Sequence, residues 1–112
     1  QTVQSQKICN KEQITQLDHK NITKIYDFWQ QDGKYYCIME FVDGVNLTQF
    51  IQQKSLSFDE LVDLFQQIIA GLQYLHSNGF VHGDLTSNNI IISDMKVKIT
   101  DFVQNSHTQM MF

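Results

Sequence analysis

Apolar and polar positions along the chain fall into short, periodic blocks. Residues 6–17 carry Ile8, Ile14 and Leu17 at roughly helical spacing, which predicts a short helix. From 22 to 28 the pattern alternates, with Ile22, Lys24, Tyr26 and Phe28 on one side and Ile25 and Asp27 on the other, the period of two expected of a strand. Asp32-Gly33 is a hairpin-turn signal, and residues 35–41, aromatic and apolar, predict the returning strand, which Asp43-Gly44 ends. Leu47 to Gln52 predicts a short helix. Ser57 with Glu60 makes a capping box. The positions that follow it, Phe58, Leu61, Val62, Leu64, Phe65, Ile68, Ile69, Leu72 and Leu75, form a helical stripe about five turns long. Asn78-Gly79 closes that helix. Ile90-Ile91-Ile92 predicts a buried strand and Ser93-Asp94 a turn. Met95, Val97 and Ile99 alternate with Lys96 and Lys98 as a last strand with one wet face. The tail from Val103 to Phe112 has no period and predicts no element. The mixture is α+β.

Composition narrows the class. With 112 residues, 42% of them hydrophobic and 12% aromatic, the chain suits one small packed domain rather than a disordered tail. No apolar run approaches the ~20 residues of a membrane span, and residues 1–13 lack the apolar core of a secretory leader, so no membrane partner is expected. Eight cationic residues, all Lys, stand against twelve acidic ones for a net charge of −4. Without a basic stripe, nucleic acid is excluded as a partner. Gln is frequent but scattered, so no low-complexity tract is present. Cys9 and Cys37 are isolated and lack metal-ligand spacing, which reads as reduced thiols in an intracellular, cytoplasmic protein, with a structural disulfide as the less favoured alternative.

The chemistry-bearing stretch runs from His82 to Asp101. It reads His82-Gly83-Asp84-Leu85-Thr86-Ser87-Asn88-Asn89, then a short apolar hairpin, then Asp101-Phe102-Val103. A long helix ends just before it. In this order the text resembles the eukaryotic protein-kinase family, whose catalytic loop is H-R-D-L-x-x-x-N and whose metal-binding motif is D-F-G. Upstream, Leu17-Asp-His-Lys-Asn-Ile22 looks like the link from that family's regulatory helix to its fourth strand. Tyr36-Cys-Ile-Met-Glu-Phe-Val-Asp-Gly44 looks like its fifth strand and hinge, and Tyr74-Leu-His-Ser-Asn-Gly-Phe-Val-His82 like the helix entering the catalytic loop. The resemblance covers roughly residues 8–103.

The resemblance implies a partial kinase-like fold: residues 1–42 as a small-lobe remnant and hinge, 43–112 as the start of the helical large lobe. It implies ATP and Mg²⁺ as cofactors and a protein substrate. Phosphoryl transfer asks for positioning and charge neutralisation more than covalent chemistry. Asp84 would be the base that orients a hydroxyl and takes its proton. Asn89 and Asp101 would be metal ligands, a neutral and an anionic oxygen of the hard kind Mg²⁺ accepts. Met39 falls at the gatekeeper position, Glu40 and Val42 at hinge positions facing adenine, Asn46 near the ribose and Ile91 on the adenine floor. His82, Phe102, Ile14 and Ile25 fall in an apolar spine. Each residue type also has a plainer role: Asp84 as a turn cap, Asn89 as a turn brace, Asp101 as a strand-end carboxylate, Met39 and His82 as core. Lys20 and Lys24 read as a solvated surface, and His19, His76 and His107 as loop or surface residues.

The chain departs from the family in four places. No Gly-rich loop or third-strand Lys occurs, and the regulatory-helix Glu position falls on Asn10, with Glu12 nearby. Gly83 replaces the loop Arg, Thr86 the Lys of Ser/Thr kinases, and Val103 the Gly of D-F-G. A whole kinase domain needs roughly 250 residues, so the piece reads as a fragment. The function expected is ATP-dependent phosphorylation of protein Ser/Thr hydroxyls. The alternative is a pseudokinase serving as a nucleotide- or protein-binding scaffold, with an atypical or small-molecule kinase as a further rival.

Overall fold

The computed structural model describes residues 11–80 and 85–102, together with the backbone of 108–111. It is α+β, and its described residues divide into two compact units.

The first unit is built on a hairpin. Strands β1 (Ile25–Gln31) and β2 (Lys34–Met39) pair antiparallel, joined by Asp32 and Gly33 at φ 54° and 76°. Positive φ at both turn residues gives the twist that matches the strands, which is why Asp-Gly is legible there. The register shifts between Ile25 and Asp27. That irregularity overturns the predicted alternation. Ile25 and Phe28 are both buried while Tyr26 is 60% exposed, so Tyr26 and Phe28 do not share a face. Helix α1 (Lys11–Thr15) packs on β1 and buries Ile14 and, just beyond it, Leu17. Lys24, expected on a solvated surface, instead turns its Nζ onto the carbonyls of Thr15 (2.8 Å) and Leu17 (2.9 Å), where a helix end leaves acceptors unpaired. Lys11 Nζ lies 2.9 Å from Asp27 Oδ1. That bond and the Phe28 N–H hold the Asp27 carboxyl below its usual range. Strand β6 (Thr108–Met111), which the aperiodic tail did not foretell, runs parallel to β2 and completes a three-stranded sheet in the order β1-β2-β6.

The second unit, His19–Thr23 with Val42–Phe102, is organised by a long helix and a small sheet. Helix α2 (Leu47–Gln53) starts at the N-cap Asn46, whose Oδ1 accepts from Gln49 N while Gln49 Oε1 accepts from Asn46 N. Helix α3 (Phe58–Ser77) starts at the expected capping box: Glu60 N donates to Ser57 Oγ (3.1 Å) and Ser57 N to Glu60 Oε1 (2.9 Å). That backbone bond keeps the Glu60 carboxyl below its ordinary range. Gly79, at φ 85°, ends the helix. Strands β3 (Val45–Asn46), β4 (Ile90–Ser93) and β5 (Lys96–Ile99) form an antiparallel sheet. The β4–β5 turn places Asp94 and Met95 at φ 54° and 61°, so Met95 is a turn residue and β5 begins one position later than its alternation suggests. Along the outer edge of β5, Ile22 forms an isolated parallel bridge to Ile99.

Of the predicted α3 stripe, Leu64, Ile68 and Leu75 are buried, and the helix packs on β5, whose Val97 and Ile99 are fully buried. Phe58, Val62, Phe65 and Ile69 form a second apolar face that is exposed. The division between the units falls at Phe41/Val42, with residues 19–23 in the second unit and β6 in the first. Each of these segments adds to a sheet edge distant in sequence: 21–23 to β5, β6 to β2.

Candidate functional site

The loop before β4 is shaped by its own side chains. Residues Ser87–Asn89 make one turn of 3-10 helix capped by Thr86. Thr86 Oγ1 accepts from Asn88 N (3.2 Å), and Asn89 Oδ1 accepts from both Thr86 N (3.0 Å) and Thr86 Oγ1 (3.1 Å). The loop is strapped to the start of α2 by Asn46 Nδ2 to Asn88 Oδ1 (3.3 Å) and by a hydrogen bond between the hydroxyls of Thr48 and Ser87. Asn89, Asn46 and Thr86 therefore all fill the bracing role that polar residues play in tight turns.

Across the β4–β5 hairpin stands Asp101. Asn89 Nδ2 donates to Asp101 Oδ2 at 3.0 Å, and Thr100 N donates to Asn89 O at 2.9 Å. Asp101 has φ 61°, a left-handed backbone that Asp adopts more readily than most residues. Phe102 behind it is buried. The spacing argument from the sequence holds in this respect: the twelve-residue separation brings Asn89 and Asp101 into contact.

Both carboxamide atoms of Asn89 are thus engaged, the nitrogen by Asp101 and the oxygen by Thr86. Asp101 brings hard, anionic oxygen at the mouth of the hairpin. Among the described residues no three His, Cys, Asp or Glu gather as a self-sufficient metal cage. This donor set fits Mg²⁺, which is usually held by one or two carboxylates with phosphates and water, and does not fit a structural zinc.

The remaining expected site residues are distributed as follows. Met39, the last residue of β2, is buried and paired with Ile25. Glu40 is tied to Lys24 twice, its N–H donating to Lys24 O (2.7 Å) and its Oε1 accepting from Lys24 N (3.0 Å). Both belong to the first unit. Val42, Asn46 and Ile91 belong to the second, where Asn46 and Ile91 face one another as ladder partners of β3 and β4. Asp84, His82, Gly83 and Val103 lie outside the described residues, as do Cys9, Asn10 and His107. His19, expected as a loop or surface residue, accepts from Asn21 N through Nδ1 (3.0 Å) and lies against the Tyr74 ring.

A residue that the pattern did not single out is Gln67. Unlike its exposed neighbour Gln66, it is half-buried and bonds the hairpin backbone. Its local context, an i−4 bond to Asp63 included, is that of any polar helix residue, and its other partners lie 28 to 46 positions away, so no local signal marks it.

Comparison with known proteins agrees with the motif order. A family profile for the protein kinase domain matches residues 2–109. The serine/threonine-protein kinase PrkC of Bacillus subtilis is 39% identical over 88 residues, covering 77% of this chain and 14% of PrkC. The serine/threonine-protein kinase PLK4 of Xenopus tropicalis is 36% identical over 101 residues, covering 87% and 11%. Among solved structures, Rad53 1-466 in complex with AMP-PNP superimposes with a TM-score of 0.72 at 36% identity, covering 81% of this chain and 26% of that one. The chain thus spans about a seventh of the length of PrkC.

Proposed function

The chain belongs to the protein kinase family, and on that premise we propose that it carries the metal-holding part of an ATP-dependent kinase acting on protein Ser/Thr hydroxyls. The observation that carries this reading is the 3.0 Å bond between Asn89 and Asp101, two residues at the family's metal positions. Mg²⁺ bound there would neutralise phosphate charge as the bond to the leaving nucleotide lengthens. Asp101 would hold the ion through its carboxylate. Asn89 fixes the rotamer of Asp101 from the nitrogen side, and to ligate the ion itself it would exchange its bonds to Thr86. Asp84, by its place in the motif, would orient the acceptor hydroxyl and take its proton. Met39, Glu40, Val42, Asn46 and Ile91 are proposed to hold adenosine. The AMP-PNP bound to Rad53 supports nucleotide as the ligand class, and the naming of PrkC and PLK4 supports Ser/Thr over Tyr.

A second reading, a pseudokinase scaffold, is favoured by Thr86. It stands where Ser/Thr kinases carry a Lys, and its hydroxyl is committed to the loop rather than offered to a phosphate. Titration calorimetry of the 112-residue chain with ATP separates the two. The catalytic reading expects tighter binding with Mg²⁺ than with a chelator, and loss of that difference in Asp101→Ala. Equal affinities in the parent would refute the metal role and leave the scaffold.

A further inference from the structure

The outer edge of β5 is held by side chains from distant segments. Gln67 Oε1 accepts from Val97 N (2.9 Å) and from Asn21 Nδ2 (3.0 Å), and its Nε2 donates to Met95 O (3.0 Å) and Asp63 Oδ2 (3.0 Å). That is the full complement of a carboxamide. Asn21 Nδ2 donates again, to Val97 O (3.0 Å). Both backbone groups of Val97 are therefore gripped by amides from outside the hairpin. Two residues on, Ile99 N donates to Asn21 O (2.9 Å) and Ile99 O accepts from Thr23 N (3.0 Å). Two residues beyond that is Asp101.

Asn21 shows what this grip involves. Its side chain is buried, and its Oδ1 has no hydrogen-bond partner. Buried acceptors without partners are rare. Here the side chain is oriented for its two N–H bonds, to Gln67 and Val97, at the expense of its oxygen. The grip is mounted on α3, a twenty-residue helix, so β5 is referenced to a rigid element rather than to a loop.

We infer that Gln67 is a positioning residue for Asp101: through Val97 and Met95 it sets the axial placement of β5, and hence where the Asp101 carboxylate would stand to hold a metal ion. The inference rests on the metal role proposed above for Asp101. Residues that orient a ligand typically change metal affinity about 10- to 100-fold when altered.

The test is the ratio of ATP affinity with Mg²⁺ to that with a chelator, measured by calorimetry on the whole chain. Gln67→Met fills the same space without hydrogen bonds. Gln67→Asn keeps an amide one methylene too short to reach Val97. Each is expected to lower the ratio about tenfold with metal-free affinity unchanged, while Gln66→Ala, on the exposed side of the same helix, leaves the ratio intact. An unchanged ratio in either folded variant overturns the inference. So does a parallel fall of both affinities, which is what a merely structural role would give. If neither variant melts cooperatively, the parent decides: exchange of the Val97 amide, read by NMR, should slow further when Mg²⁺ is added to the ATP-bound chain, and unchanged exchange overturns the proposal. A parent with no Mg²⁺ effect refutes the metal role of Asp101 itself, and this inference falls with it.

Discussion

Replacing Gly71 by Ala should destabilise the protein, against the preference of the helix that contains it. Gly71 is buried in the second turn from the end of α3. A β-carbon there would lie 2.9 Å from the carbonyl oxygen of Asn21, 2.9 Å from Ile99 Cδ1 and 3.3 Å from Asn21 Cβ. Ordinary heavy-atom contact is about 3.5 Å or more, so the loop at Asn21 or the helix must move by about half an ångström. The Asn21 oxygen is backbone and already accepts from Ile99 N at 2.9 Å, so its retreat weakens that bond. Ala would gain about 1 kcal/mol in helix propensity. Overpacking costs about 1–3 kcal/mol, and the strained hydrogen bond about 0.5–1.5 kcal/mol more. The net is about 0.5–3.5 kcal/mol of destabilisation, which for a chain of this size lowers Tm by about 2–15 °C. Thermal melts followed by circular dichroism at 222 nm would read it. Pairing the change with Ile99→Val, which deletes the Cδ1 methyl, should recover part of the loss but not the share due to the backbone oxygen. A Gly71→Ala protein that melts at or above the parent would refute the close approach of α3 to residues 19–23.

Three further outcomes are expected. Leu75→Ala, at a fully buried position, should cost about 2–5 kcal/mol and abolish cooperative unfolding, whereas Phe65→Ala, 55% exposed, should shift the melt by no more than a few degrees; similar melts for the two would show that the buried face of α3 is misassigned. The Glu60 carboxyl titrates below its ordinary range when folded, so its contribution is complete above that range and is lost as pH falls through the lowered value. Tm should therefore fall more steeply between about pH 5 and pH 3 in the parent than in Glu60→Gln, which keeps the cap without a titrating group; equal slopes would contradict the capping bond. Lacking a Gly-rich loop and a third-strand Lys, the 112-residue chain should transfer no phosphate from labelled ATP to a generic protein substrate; transfer abolished by Asp84→Asn would show otherwise.

What could be read from the sequence was local. The Asp32-Gly33 turn, the Ser57/Glu60 box and the Gly79 stop each depend on residues within four positions of one another, and each stands as expected. The Asn89–Asp101 contact was legible because a tight hairpin joins the two. Misreadings came where a distant partner decides the outcome. The bulge near Tyr26 reverses the predicted face, because register is set by β2 rather than by the alternation of β1. Lys24 looked like surface charge until α1 presented carbonyls to it. The apolar α3 stripe is wider than the buried face, so counting apolar positions could not say that Phe65 and Ile69 are exposed while Leu64 and Ile68 are not. Strand β6 carries no alternation, and its parallel partner lies more than seventy residues upstream.

The left-handed backbone at Asp101 also bears on how this protein would respond to artificial selection. Glycine occupies that conformation without the crowding of a β-carbon, so Asp101→Gly should relieve strain worth about 1 kcal/mol, but it strands the buried Asn89 amide at a cost of about 1–3 kcal/mol. A library sorted for heat resistance or expression yield would therefore reach glycine at 101 only together with a change at 89 that removes the stranded donor, and would discard both proposed metal-site residues at once. Any stabilisation campaign on this chain should hold positions 89 and 101 constant and score nucleotide binding beside survival.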